Sequence, residues 1–113
     1  MNRNFRLTNT RDFDRTHREG QTKRHKIAVL VYSKNQLGKT RVGVVASKKI
    51  GNAVKRNYIK RKLRSSISHF WPNIKTGFDL IFYARKAGLD ASYNDWLDAI
   101  RELLESENLI IDE

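Results

Sequence analysis

The chain has 113 residues, 39% of them hydrophobic, a formal net charge of +11 and no cysteine. That length suits one domain, residues 1–113, with a modest core, and the lack of cysteine excludes a disulfide framework or a thiolate metal site. No apolar run approaches the roughly 20 residues that cross a bilayer, and the N-terminus has no apolar signal region, so the expected setting is soluble and cytoplasmic.

The charge is unevenly placed. Residues 1–19 carry five basic and three acidic side chains, residues 20–78 carry fifteen and none, and residues 79–113 carry three and nine. A folded segment with such an excess of positive charge repels itself unless a polyanion binds it, and the usual polyanion is nucleic acid. The acidic last third is expected to face solvent or support the fold.

In chain order, residues 9–19 read as a short helix. Asn9 or Thr8 caps it, Asp12 suits the first turn, and Gly20 offers a left-handed stop. Phe13 is its one large apolar residue. Ile27–Tyr32 and Val42–Ala46 read as strands, with Gln36-Leu37-Gly38 marking a turn between them. Together they suggest a hairpin, with a short extension near Thr22–His25. Gly43 marks a bulge or a close backbone approach.

Gly51-Asn52 opens the main helix, with Asn52 as N-cap. At 100° per residue, Ile59, Leu63, Ser66, Ile67 and Phe70 share the face that packs on a sheet, and Pro72 ends the helix. Phe78–Ala84 is a third long strand. Ser92, with Asp95 three positions on, caps a last helix whose apolar stripe is Trp96, Ile100, Leu103 and Leu104. This element order gives an α+β fold, helices packed on one small sheet.

Between Lys48 and Arg64 the sequence is KKIGNAVKRNYIKRKLR. The bland reading of such a run is a solvated charged face. Two features oppose it. Solvated helices gain from mixed-sign pairs at i,i+4, and here no acid accompanies the cations. Several cations also crowd the first turns, where the helix dipole is already positive and added positive charge costs stability. In the functional reading, Arg56, Lys60 and Arg64 form one ridge at i, i+4, i+8, and Asn57, Arg61 and Arg64 form the next. A ridge advances about 6 Å per four residues, on the scale of the spacing between successive phosphates. Arg suits bidentate phosphate contact, Lys point-charge contact. Ser47-Lys48-Lys49 adds two cations beside free helix N–H groups.

The stretch RVGVVASKKIGNAVKRNYIKRKLR, residues 41–64, resembles the signature of the bacterial ribonuclease P protein family. Arg56-Asn57 begins the family's Arg-Asn-Arg element, which continues as Lys60-Arg61-x-x-Arg64. Lys48-Lys49-x-Gly51-Asn52-Ala53-Val54 is similar to the run into that helix. The likeness extends to Arg6-Leu7, Phe13 and Phe82–Ala87. It implies an α/β sandwich with three helices, a mainly antiparallel sheet of about four strands and a left-handed βαβ crossover, an exception to the usual hand, with a ribosomal-protein domain among its relatives in shape. It implies partnership with a catalytic RNA, ribonuclease P RNA, which uses Mg²⁺ to remove the 5′ leader of precursor tRNA. Lys48, Lys49, Asn52, Arg56, Asn57, Lys60, Arg61 and Arg64 would then face that RNA. Phe13 matches an aromatic of a cleft for the single-stranded leader. A second aromatic usual four residues later is here His17, whose ring can also stack on a base. Tyr32, on the strand expected to floor the cleft, completes the candidate leader set.

No catalytic residue and no metal site is expected on the protein itself. A metal nuclease clusters carboxylates around Mg²⁺, and the basic body has none. His17, His25 and His69 are scattered. Trp71 and Trp96 read as packing residues. Neither a membrane nor DNA is expected as partner. Two alternatives share the composition: a structural RNA-binding protein of ribosomal type, and a DNA-binding module with its helix in a major groove. The second suits the chain less, because the same helix also supplies core residues.

Overall fold

A computed structural model of the chain describes residues 5–111. The elements are α1 (Thr10–Glu19), β1 (Gln21–Arg24), β2 (Ala28–Lys34), β3 (Arg41–Val45), α2 (Ala53–Phe70), β4 (Phe78–Ala84) and α3 (Tyr93–Ser106). The strands form one mixed sheet in the order β1-β2-β4-β3. The first two pairings are antiparallel and β3 runs parallel to β4.

The expected hairpin between the second and third strands does not form. β4 lies between them, in register Leu30↔Phe82 on one side and Val44↔Phe82 on the other. The physical reason is burial. Five of the seven residues of β4 are buried, and a strand apolar on both faces belongs at the centre of a sheet. The extension near Thr22–His25 is a strand, β1, which turns tightly into β2 through the His25 N–H donating to the Ala28 carbonyl at 2.8 Å. Parallel β3 and β4 require a long crossover, and α2 supplies it.

Caps define the helices. The Asn9 side chain accepts from the Arg11 N–H at 2.8 Å, and Asn52 from the Lys55 N–H at 3.0 Å. Before Asn52, a single turn at Lys48–Ile50 buries Ile50, and Gly51 joins it to the cap at φ 145°, a conformation that side chains resist. Ser92 and Asp95 form the complete capping box of α3. Gly20 is not left-handed. Its φ is −96°, and a Cβ there would lie 2.3 Å from the carbonyl oxygens of Thr16 and Tyr32. Glycine is required by close approach, not by turn geometry.

One face of the sheet packs against α2 and α3. Ile59, Leu63, Ile67 and Phe70 of α2 and Trp96, Ile100, Leu103 and Leu104 of α3 are buried there with Leu30, Leu80 and Phe82. Each such side chain contributes about 1.5–3 kcal/mol of burial. The opposite face carries a smaller cluster, Leu7, Val31 and Ile81, flanked by Phe13, Val29, Val45 and Tyr83. Helix α1 lies over that face.

Candidate nucleic-acid interface

The buried stripe of α2 holds the helix in one rotation about its axis. The residues on the adjoining arc must therefore face outward. Lys48, Lys49, Asn52, Asn57, Arg61 and Arg64 are exposed, and Arg56 and Lys60 are half-buried. Among the described residues, none of Lys48, Lys49, Arg56, Lys60, Arg61 and Arg64 has a carboxylate partner. Lys62 behaves differently. Its ammonium donates to the Ala91 carbonyl at 3.1 Å and sits 4.7 Å from the centre of the Tyr58 ring. One cation of the run thus ties α2 to the segment before α3, and the others have no carboxylate partner among the described residues.

On the other face the register builds three rows across the strands. The first is Arg24–Val29–Tyr83–Val45, the second Thr22–Val31–Ile81–Gly43, and the third Ser33–Asp79–Arg41. Helix α1 touches all three. Phe13 lies on Gly43, where a Cβ would meet its Cζ at 2.7 Å. His17 shares a hydrogen bond with the Tyr83 hydroxyl, the rings 5.6 Å apart. Val31, Ile81 and Gly43 of the second row are buried, whereas Val29, Tyr83 and Val45 of the first are only half-buried. An open apolar floor with an aromatic wall results, and Arg24 stands at its far edge.

The third row holds α1 down. Asp79 is fully buried and accepts from Arg41 Nε at 2.9 Å, Arg41 Nη2 at 2.8 Å and Asn35 Nδ2 at 2.9 Å. Arg15, reaching from α1, also donates to it. Arg41 completes the link by donating to Asp12 of α1 at 3.1 Å. Burial alone would push the Asp79 carboxyl up. The hydrogen bonds of Arg41 and Asn35, then the charges of Arg41 and Arg15, outweigh it and hold the group below the usual carboxylate range. The same bond raises Arg41.

Tyr32 does not join this cleft. Alternation along β2 places it with Leu30 and Ala28 against the main core, where its ring meets Phe78 edge-on. Its hydroxyl donates to Glu107 at 2.9 Å, and burial together with that carboxylate raises it to about 12. The strand aromatic on the α1 side is Tyr83, raised by burial. Sequence reasoning missed Tyr83, Arg24 and the Asp79 network. The available signals were the parity of Tyr83 with Ile81 and Asp79, and a lone acid inside an apolar strand.

The two surfaces meet at β3, the edge strand. A pocket there is lined by Arg6, Leu7 and Thr8, by Val42 to Val44, and by Arg64 of α2. Among the described residues, no group of three His, Asp or Glu side chains could hold a metal ion, and no helix is long and apolar enough to cross a membrane.

A model of the family described as ribonuclease P matches residues 1–107. The ribonuclease P protein component of Symbiobacterium thermophilum is 33% identical over 111 residues, covering 97% of this chain and 96% of that protein. That of Alkaliphilus oremlandii is 35% identical over 105 residues, covering 93% and 92%. In three dimensions the chain is similar to the RNase P protein of Staphylococcus aureus, with a TM-score of 0.85 at 27% identity and 94% and 97% of the two chains covered. It is likewise similar to that of Thermotoga maritima, with a TM-score of 0.81 at 28% identity and 89% and 96% covered. From its sequence, its fold and the matches over nearly its whole length, this chain belongs to the ribonuclease P protein component family.

Proposed function

We propose that the protein is the accessory subunit of a ribonucleoprotein endoribonuclease, binding a catalytic RNA through α2 and the 5′ leader of precursor tRNA through the α1–sheet cleft. The observation that carries this is the arc of α2. Arg56, Lys60 and Arg64 stand in line on a helix held by its core stripe, with no acid to neutralise them. Such a row suits a phosphate backbone and lowers the repulsion where two RNAs meet. It would thereby reduce the Mg²⁺ required for productive assembly.

The cleft suits a single strand. Phe13, His17 and Tyr83 offer ring faces and edges, Val29 and Val45 an apolar floor, and Arg24 a charge at the exit. Base stacking of this kind is worth about 1–3 kcal/mol per base and tolerates any sequence, as a leader of variable sequence demands. Catalysis belongs on the RNA in this reading, with Mg²⁺ held there. The carboxylates nearest the cleft, Asp12 and Asp79, are committed to arginines, and His17 is engaged with Tyr83. The natural setting is the cytoplasm, where precursor tRNA is made.

The test is cleavage of precursor tRNA by a bacterial ribonuclease P RNA at low Mg²⁺. Cleavage at the mature 5′ end is expected only when the protein is added, with none from the protein alone. Cleavage by the protein alone would move the chemistry onto it. Binding without cleavage would leave a structural RNA-binding role.

A further inference from the structure

We infer that the pocket at the edge of β3 is a phosphate site in which Arg6 and Arg64 grip one phosphodiester of bound RNA from two sides. The inference rests on the reading of α2 as an RNA-binding face and adds to it a residue from a distant part of the chain. Arg64 is the last cation of the α2 ridge. Arg6 belongs to the segment before α1, which lies along the open edge of β3. Arg6 bridges to Val42 there, and the Leu7 N–H donates to the Val42 carbonyl at 2.8 Å. These contacts fix the backbone at Arg6, so its position opposite α2 is built into the fold.

The lining of the pocket states its chemistry. Arg6 and Arg64 are its two charged residues, Thr8 adds a hydroxyl-bearing side chain, and no acid lines it. Among the described residues neither arginine has a carboxylate partner. Two guanidinium groups facing one notch repel each other in the free protein. An anion between them reverses the sign of that interaction. The guanidinium fork matches phosphate geometry with two parallel N–H donors. The rest of the lining, Leu7 and Val42 to Val44, is apolar or backbone.

The location selects an RNA phosphate over a free ion. The pocket sits where the α2 face passes into the α1–sheet cleft, because Gly43, under Phe13, also lines it. A strand running from one surface to the other crosses this point. Its phosphate can come from the catalytic RNA or from the precursor leader.

The test is a double-mutant cycle on Arg6→Ala and Arg64→Ala, with Arg6→Lys as the charge-conserving variant and Lys86→Ala as a control. Affinity is measured at several salt concentrations in two arms. One is ribonuclease P RNA with the protein alone. The other is precursor tRNA with the reconstituted holoenzyme, against mature tRNA. Arg6→Ala is expected to weaken binding roughly tenfold in one arm, as for loss of one charge-assisted contact. The salt slope in that arm should fall by about 0.7 to 0.9. Arg6→Lys should keep the slope and recover part of the affinity. The double variant should lose less than the product of the single losses, since both arginines hold the same phosphate. The arm that responds identifies the source. Wild-type affinity for Arg6→Ala in both arms, or fully multiplicative losses, would overturn the shared site while Lys60→Ala and Arg61→Ala still report on the α2 face. Wild-type RNA binding by those two variants as well would remove the reading on which it rests.

Discussion

Arg15 and Arg41, on the α1 side of the sheet, carry the same charge as Arg56 and Arg64 of α2, in different surroundings. The first pair converges on a buried carboxylate, and the Arg15–Asp79 and Arg41–Asp12 pairs join α1 to the strands. The second pair makes no ion pair among the described residues and stands over the core by virtue of the apolar stripe beneath it. Where carboxylate and guanidinium are buried together, the charge is part of the structure. Where a helix is oriented so that cations stay outside without acids, the fold does not use the charge, and the proposed function assigns it to RNA. Composition counts all four arginines alike; only the packing separates them.

The largest expected effect lies on the structural side. Asp79→Asn removes the fully buried counter-charge of Arg41 and Arg15 and leaves them only the more exposed Asp12 and Glu19, and breaking a buried pair costs about 3–5 kcal/mol. Urea unfolding should show that loss. The same network predicts an acid limb. The folded carboxyl of Asp79 lies below its unfolded value of about 3.9. Its contribution is therefore complete above that pH and disappears as pH falls toward the lower folded value. Stability of the native chain should drop over that range, and Asp79→Asn should flatten the drop. If Asp79→Asn were as stable as the native chain, the contrast between paired and unpaired arginines would collapse.

On the ligand side the order is reversed. Arg56→Ala should change unfolding stability by no more than about 0.5 kcal/mol, as for an unpartnered surface group, yet weaken binding to the RNA subunit roughly tenfold. Native circular dichroism with unchanged affinity would count against the role given to α2. A loss of stability comparable to that of Asp79→Asn would show that the arc is structural after all.

Much of this was legible in the sequence. The limits of α2, its cap at Asn52 and its buried stripe follow from local periodicity and chemistry, as do β4 and the capping box at Ser92 and Asp95. Pairing was not. The β2–β3 hairpin was the simple local solution, and only the continuous apolar run of Phe78–Ala84 hinted at a central strand. The rotation of β2 was equally hidden. Parity places Tyr32 with Leu30 but does not say which face receives α1, so the cleft aromatic was assigned to Tyr32 when it is Tyr83. The Asp79 network brings together residues 15, 41 and 79, and no local pattern encodes such a meeting. For the candidate site, the α2 cations were readable because the helix carries them in register. The cleft was readable only in part, because four separate strands and α1 assemble it.

The smallest effect tests the cleft where both surfaces converge. Gly43 lies under the ring of Phe13, and a methyl group there would also stand 3.0 Å from the Leu7 carbonyl oxygen. Gly43→Ala therefore displaces Phe13 without removing it, at a cost of about 1–3 kcal/mol in stability for overpacking. Phe13→Ala removes the ring outright. Both variants should bind precursor tRNA with its leader several-fold more weakly as holoenzymes, by less than the roughly tenfold to hundredfold of a complete base stack. Both should bind mature tRNA and the RNA subunit as the native protein does. An equal loss on leader-bearing and mature tRNA would mean that Phe13 supports the fold and not the leader. In that case the first row, Arg24–Val29–Tyr83–Val45, would have to hold the strand without it, and Tyr83→Ala would become the variant that discriminates between the two tRNAs.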